Sequence, residues 1–289
     1  FTVFSNIIAN FPYFFQRYFI NFLSLCVFHR ICTYFGKGVY KGSKCVYDRR
    51  KMMREDAFMN SLAEMEKARL AVLQKHLENG VIFECADGIV IEESVKIGKG
   101  TRISPNVTLR GETVIGENCV ITGGSVIVDS VIGNRSTINA SQCYQSRVGE
   151  EVSVGPFSHL RPNSVLDDHV HVGDFVEIKN SNIGVGTAVA HLTYIGDSDV
   201  GRNVNFGCGC VTVNYDGVKK CRCKIGDNAF IGCNTNMIAP VEIGDNTFIA
   251  AGSTITNEVP DGDFAIARAR QVNKPGLGAE KLRDRKLKY

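Results

Sequence analysis

The sequence predicts an all-β fold, a parallel β-helix of hexapeptide coils, on three observations. A large aliphatic residue recurs every six positions at Ile225, Ile231, Met237, Ile243, Ile249 and Ile255. The same beat runs through Ile91, Ile97, Ile103, Leu109, Ile115, Ile121 and Ile127, and again through Val148, Val154, Leu160, Leu166, Val172 and Ile178. Two residues before the later beats stand Ala229, Thr235, Val241, Thr247 and Ser253, all small or β-branched. Glycine often follows the aliphatic residue, at Gly98, Gly116, Gly149, Gly155, Gly173, Gly226, Gly232 and Gly244, where relief of backbone strain is expected. Each hexad supplies one short strand and one corner, and three hexads close a triangular coil. No hexad buries its own aliphatic residue, so stability comes from stacking coils. Helices of this period are usually left-handed, an exception to the right-handed crossover rule.

The 289 residues divide unevenly. Residues 1–47 hold 14 of the 26 Phe and Tyr, with Arg17, Arg30, Lys37, Lys41 and Lys44 and no acid. Their longest uncharged apolar piece, Tyr18 to Phe28, has 11 residues, too short to span a bilayer. The first Met is Met52, and the atypical segment 1–53 is read as a fragment or mis-called upstream frame, the alternative being a membrane-surface segment or an unrelated partner surface. Residues 54–80 read as a helical arm with Leu70, Leu73 and Leu77 on one face and Asn79-Gly80 as its stop. The coil is expected over 81–275, its hexads clear from Ile91 and ending after Ile255. Its register shifts near Asp129–Val148 and at Ile183-Gly184, and Asn214 to Lys220 form a loop at one corner. Residues 276–289 are a polar tail. The chain beyond residue 47 carries 28 Lys and Arg against 30 Asp and Glu, which excludes a basic nucleic-acid surface. Eleven cysteines and no secretory leader point to free thiols in the cytoplasm.

At two corners a cation stands where glycine is frequent: Arg161 after Leu160 and Lys179 after Ile178. Eighteen residues separate them, one turn of three hexads, so they should stack at one corner. Stacked cations repel unless an anion lies between them, which makes a phosphate site the sharp reading and two solvated charges the bland one. His191 lies two residues past Val189, at a corner, with Tyr194 and Asn205 following; all are expected near one edge beside the cations. An imidazole, with an ordinary pKa of about 6.5, can accept a proton from an amine near neutrality. Cys208/Cys210 and Cys221/Cys223 form two C-x-C pairs, but their spacing is not that of a zinc ribbon, and strand positions explain them without metal. His169 and His171 lack a third His in a comparable place, so no metal site is expected.

The segments HLRPNSVL, VGDFVEIKNSNIG, HLTYIGDSDVG, NVNFGCG, VNYDG, FIGCNTNMIAPV and AAGSTIT resemble the acetyltransferase half of the bacterial bifunctional N-acetylglucosamine-1-phosphate uridyltransferase/glucosamine-1-phosphate acetyltransferases. The resemblance covers roughly residues 54–275 and implies a left-handed parallel β-helix, a homotrimer and active sites between subunits. It implies N-acetylation of glucosamine 1-phosphate by acetyl-CoA toward UDP-N-acetylglucosamine, peptidoglycan and lipopolysaccharide. Carried over, the general base falls on His191, and sugar-phosphate contacts fall on Arg161, Lys179, Tyr194, Asn205 and Lys220. Acetyl-CoA contacts fall on Cys208, Asn214, Tyr215, Cys233, Ala251 and Arg268. The family often has Ser at 233 and Ala at 208; a thiol is the weaker donor, so Cys233 is a poor oxyanion ligand. The Gly-rich nucleotide loop and the Mg2+-dependent uridylyl transfer of the family's other half have no counterpart in these segments. Two other readings stay open, a hexapeptide acyltransferase for a different amino sugar and a non-catalytic trimeric fragment.

Overall fold

The computed structural model describes residues 49–283, so the aromatic-rich segment up to residue 48 and the last six residues lie outside it. Helix α1 (Arg49–Glu78) leads into thirty strands of two or three residues, and a short helix α2 (Leu277–Leu282) follows them. The strands form three parallel sheets of eleven, ten and nine members, each taking every third strand in order except at the end of the first, where Phe248–Ile249 pairs with Phe264–Ala265, two strands on. The architecture is a left-handed parallel β-helix. Three corners join the faces: the first leads from sheet 1 to sheet 2, the second from sheet 2 to sheet 3, and the third back to sheet 1.

The six-residue beat is the axis of this coil. Ile103 pairs in register with Ile121, Ile121 with Ile138, and Ile138 with Val154, all buried. The small residues two positions earlier are also buried, and many are hydroxyls. Several of these hydroxyls link neighbouring coils. Thr101 Oγ1 donates to the Gly116 carbonyl at 2.7 Å and accepts the Cys119 N–H at 3.0 Å. Ser136 does the same with Gly149 and Val152, and Thr187 with Gly201 and Val204. A buried hydroxyl left unpaired would cost about 1–3 kcal/mol, and here it is satisfied on both sides.

The register shifts are five-residue steps. Ile138 to Cys143 is one at the first corner, turned by Ala140 with φ of 42°. Ile127 to Ile132, Cys143 to Val148, Ile178 to Ile183 and Ile195 to Val200 are the others, at the second corner. There one left-handed residue turns the chain: Asp129, Gln145, Asn180 or Asp197, with φ of 49°, 45°, 46° and 49°.

The strands extend beyond the clear hexads, from Ile82–Phe83 to Phe264–Ala265 on sheet 1, within the expected 81–275. Other expectations are corrected. On α1, Leu73 and His76 are buried whereas Leu70 and Leu77 are exposed, so the arm meets the core through one turn. Arg69 secures it there, donating to the carbonyls of Ala86 and Ile89 at 2.8 and 2.9 Å. The glycines after axial residues do not relieve strain: of those named above, only Gly155 has positive φ. Their role is close approach. Gly98, Gly116, Gly133, Gly149, Gly184, Gly201, Gly226 and Gly244 all occupy the third corner, where coils meet backbone to backbone. Arg161 and Lys179 therefore replace no glycine of that stack; they belong to the second corner, which follows Arg110, Val128 and Tyr144 in register.

A Cβ at position 184 would lie 2.6 Å from the Gly201 carbonyl carbon and oxygen, both backbone. Gly184→Ala should cost about 1–3 kcal/mol, the usual range for overpacking, whereas Gly278→Ala, with open space around it, should be near neutral. Urea midpoints of the two variants measure the difference.

Candidate active site

The first corner carries one ladder. Successive coils present Gly155-Pro156-Phe157, Gly173-Asp174-Phe175, Ala190-His191-Leu192, Gly207-Cys208-Gly209, Gly232-Cys233-Asn234 and Ala250-Ala251-Gly252. Backbone hydrogen bonds fix the stacking: Leu192 N–H donates to Asp174 O at 3.1 Å and Gly209 N–H to His191 O at 3.0 Å. Above them Asn234 N–H donates to Cys208 O and Gly252 N–H to Cys233 O, each at 2.8 Å. Arg268 closes the series, its Cδ placed 3.8 Å from a Cβ built on Gly252. His191, Cys208, Cys233, Ala251 and Arg268 thus rise along one edge, one per coil.

His191 and Leu192 both adopt left-handed backbone, with φ of 58° and 53°. Such conformations cost about 1–3 kcal/mol each for non-glycine residues and persist only where surrounding structure enforces them. The His191 ring is exposed, and its Nδ1 lies 2.6 Å from Asp174 Oδ1 on the coil below. The carboxyl of Asp174 is held below its ordinary range by its own backbone N–H and then by the His191 hydrogen bond, against a smaller effect of burial. Beside the imidazole, Phe157 and Phe175 stack at 5.6 Å and, with Leu192, leave an apolar ledge more than half exposed at each position.

The second corner carries the cations. Leu160 pairs with Ile178, so Arg161 and Lys179 stack one coil apart, with Gly196 next above. Arg161 Nη1 bonds Glu177 Oε1 at 2.7 Å. Lys179 Nζ lies 3.7 Å from Asp197 Oδ2, and the Lys220 amine, then burial and Arg161, push Lys179 below its ordinary pKa against the pull of Asp197. Asp197 is buried, accepting from Asn180 Nδ2 at 2.5 Å and from the Asn214 amide. Asn214 Nδ2 also lies 3.4 Å from Tyr194 Oη. Here the chain leaves the coil between Val213 and Cys223 as a loop closed by an antiparallel Tyr215–Lys220 bridge. Asp216 caps its turn through the Val218 and Lys219 N–H groups.

One expectation fails within a single chain: His191 does not share an edge with Arg161 and Lys179. It follows Lys179 by 12 residues, two hexads rather than three, which leaves it one corner short of the cations. The strand Tyr194–Gly196, about 10 Å long at ordinary strand rise, lies between the two corners. Tyr194 is on that intervening face, and Asn205 faces outward on sheet 1 between Ala188 and Phe230. Asn214 and Tyr215 stand at the second corner, apart from Cys208 and Cys233 at the first. The C-x-C pairs do not converge: Cys210 and Cys223 point into the core on different faces. His169 pairs with Glu151 and His171 with Ser153. Among the described residues no group of three or more His, Cys, Asp or Glu is arranged for a metal ion. Sequence reasoning passed over Asp174 and Asp197; the available signal was coil spacing, which sets each one coil below His191 and Asn214.

Segments 94–129 and 222–257 match the family model for bacterial transferase hexapeptide (six repeats). The bifunctional protein GlmU of Listeria monocytogenes is 49% identical over 232 residues, 77% of this chain and 51% of that protein. GlmU of Clostridium kluyveri is 52% identical over 214 residues, 74% of this chain and 47% of that protein. The chain belongs to the bacterial hexapeptide-repeat transferases. This hexapeptide transferase spans about half the length of the curated relatives it matches. A solved UDP-N-acetylglucosamine acyltransferase of Francisella novicida is 19% identical, with 64% of this chain and 67% of that one covered and a TM-score of 0.41, too distant to bear on function. Among the described residues no helix is long and apolar enough to cross a membrane.

Two measurements probe the site of this transferase. Burial raises the Asp197 carboxyl, but the Asn180 and Asn214 hydrogen bonds and the Lys179 and Lys220 charges outweigh it, so its pKa is depressed. The stabilisation is therefore complete above the ordinary carboxylate pKa of about 3.9 and disappears as pH falls through the lower folded value. Asp197→Ala should cost about 2–3 kcal/mol at pH 7, with the gap to the wild type narrowing below about pH 4 in urea titrations. Burial pushes the Cys143 thiol up to about 12 and those of Cys210 and Cys223 to about 11. Native alkylation at pH 8 should thus mark Cys85, Cys208 and Cys233 and spare those three, as read by peptide mass spectrometry.

Proposed function

We propose that this chain is a glucosamine-1-phosphate N-acetyltransferase that uses acetyl-CoA and serves UDP-N-acetylglucosamine synthesis in the cytoplasm. The observation that carries the reading is the second corner, where Arg161 stacks beside Lys179 and where Lys179 and Lys220 both face one buried carboxylate, Asp197. Glu177 takes part of the Arg161 charge, yet Lys179 and Lys220 together exceed what Asp197 neutralises, and a dianionic phosphate monoester matches the surplus. The GlmU relatives at about half identity point to the same substrate.

In this reading Arg161, Lys179 and Lys220 hold the 1-phosphate, and Tyr194 and Asn205 contact the sugar. His191 Nε2 removes a proton from the neutral C2 amine as it attacks the thioester carbonyl. The C–N bond forms, the C–S bond breaks, and the leaving thiolate takes a proton back from the imidazolium. The first-corner ladder Cys208, Cys233, Ala251 and Arg268 receives acetyl-CoA along the edge that His191 begins, while Asn214 and Tyr215 contact it from the second corner. Arg268 offers its guanidinium to a CoA phosphate.

The two corners lie apart in one chain, so the reading requires a neighbour. We place the active site between subunits of a homotrimer, the first corner of one facing the second corner of the next. The exposed ledge of Phe157, Phe175 and Leu192 beside His191 supports assembly at that edge.

His191→Ala should lower kcat by about 10²–10⁴-fold with the oligomer intact on light scattering. Lys179→Ala should raise KM for glucosamine 1-phosphate about tenfold or more and leave KM for acetyl-CoA within about twofold. Glucosamine 6-phosphate and UDP-linked amino sugars are the comparison substrates. A preference for either, or a wild-type rate for His191→Ala, overturns the assignment.

A further inference from the structure

We propose that Asp174 is the positioning residue for His191, fixing the imidazole with its proton on Nδ1 so that Nε2 is the basic atom. The inference rests on the reading above of His191 as the base. Its geometric basis is independent of that reading.

Asp174 and His191 occupy corresponding turns of adjacent coils on the first corner. The backbones are locked on both sides: Leu192 N–H donates to Asp174 O, Gly209 N–H donates to His191 O, and Thr193 Oγ1 donates to the same carbonyl at 3.0 Å. Gly173 keeps the two turns close, since a Cβ there would meet Ala190 Cα at 3.1 Å and Cβ at 3.3 Å. None of these contacts touches the imidazole ring. Only the Asp174 Oδ1 contact at 2.6 Å does so among the hydrogen bonds of the described residues.

A carboxylate accepts and cannot donate while ionised, so a 2.6 Å contact places the ring proton on Nδ1. Asp174 stays ionised because its own N–H and the ring both favour the charged form. Nε2 is then left with its lone pair, directed away from the coil below. When the ring takes up the amine proton, the adjacent carboxylate stabilises the imidazolium without itself being protonated, as a buried Asp does for the His of serine proteases.

The other titratable groups near this pair are few. His171 precedes Asp174 on sheet 1 and lowers its carboxyl slightly, and Cys208 stands on the turn above His191. Neither replaces the Asp174 contact, because His171 Nδ1 bonds Ser153 Oγ at 2.6 Å and Cys208 follows on the opposite side of the His191 turn.

The test compares Asp174→Asn, Asp174→Ala and His191→Ala in the full chain. Asp174→Asn should lower kcat at least about tenfold and leave both KM values within about twofold. Loss of the carboxylate removes support for the imidazolium, so the acidic limb of the kcat/KM profile should move to lower pH. Nitrogen-15 NMR of the imidazole should show a single Nδ1–H tautomer in the wild type and a mixture in Asp174→Ala. A wild-type rate, pH profile and tautomer in Asp174→Asn, with His191→Ala inactive, would overturn the positioning role and leave the base assignment standing. An active His191→Ala would instead remove the reading on which the role rests. If Asp174→Ala fails to fold, the near-isosteric Asp174→Asn and its NMR spectrum decide alone.

Discussion

Strand pairing between consecutive coils, at a spacing of about 4.8 Å, is the constraint on which the rest of this molecule depends. Each coil supplies only short strands, so no strand is stable without the coils above and below it. The spacing leaves no room for side chains where corners are tightest, which concentrates glycine at the third corner. It also forces every inward polar group to find a partner in the next coil. Buried Ser and Thr residues answer that demand when one hydroxyl meets both a carbonyl and an N–H of the next coil. Coil pitch thereby selects residue types at the axis, at the ring beside it and at one corner, and leaves the other two corners free for chemistry.

Those two corners are used differently. The first tolerates left-handed backbone at His191 and Leu192 and presents one side chain per coil along an edge. The second is shortened to five residues in several coils and opens between Val213 and Cys223 into a loop that returns Lys220 to the cation stack. Between Ile127 and Val200 the one second corner that keeps six residues is the Arg161 corner, which contains Pro162 and Asn163. Charge accumulates at the second corner because Arg161 and Lys179 stack while buried Asp197, held by Asn180 and Asn214, offers partial compensation.

Much of this was readable before any coordinates. The axial positions, the buried ring, the two register shifts and the stacking of Arg161 over Lys179 follow from counting six and eighteen. Counting was less secure where period and geometry part. Twelve residues between Lys179 and His191 mean two corners advanced and not a complete turn, so the expectation of one shared edge was an error of arithmetic on the coil. Leu70 and Leu77 suggested a broad helical face, but α1 meets the core through one turn, because the top of a narrow coil offers little area to cover.

The sequence by itself determined the period, the identity of the core and the corners at which cations recur, because side-chain volume and backbone spacing repeat with the chain. Tertiary structure alone decided which glycines avoid collision, that Asp174 meets His191 and that Asp197 lies between Lys179 on the coil below and Asn214 on the coil above. Those are contacts between side chains on different coils. Their directions depend on left-handed turns and on local changes from six residues to five, and a linear pattern does not encode where such turns aim a side chain.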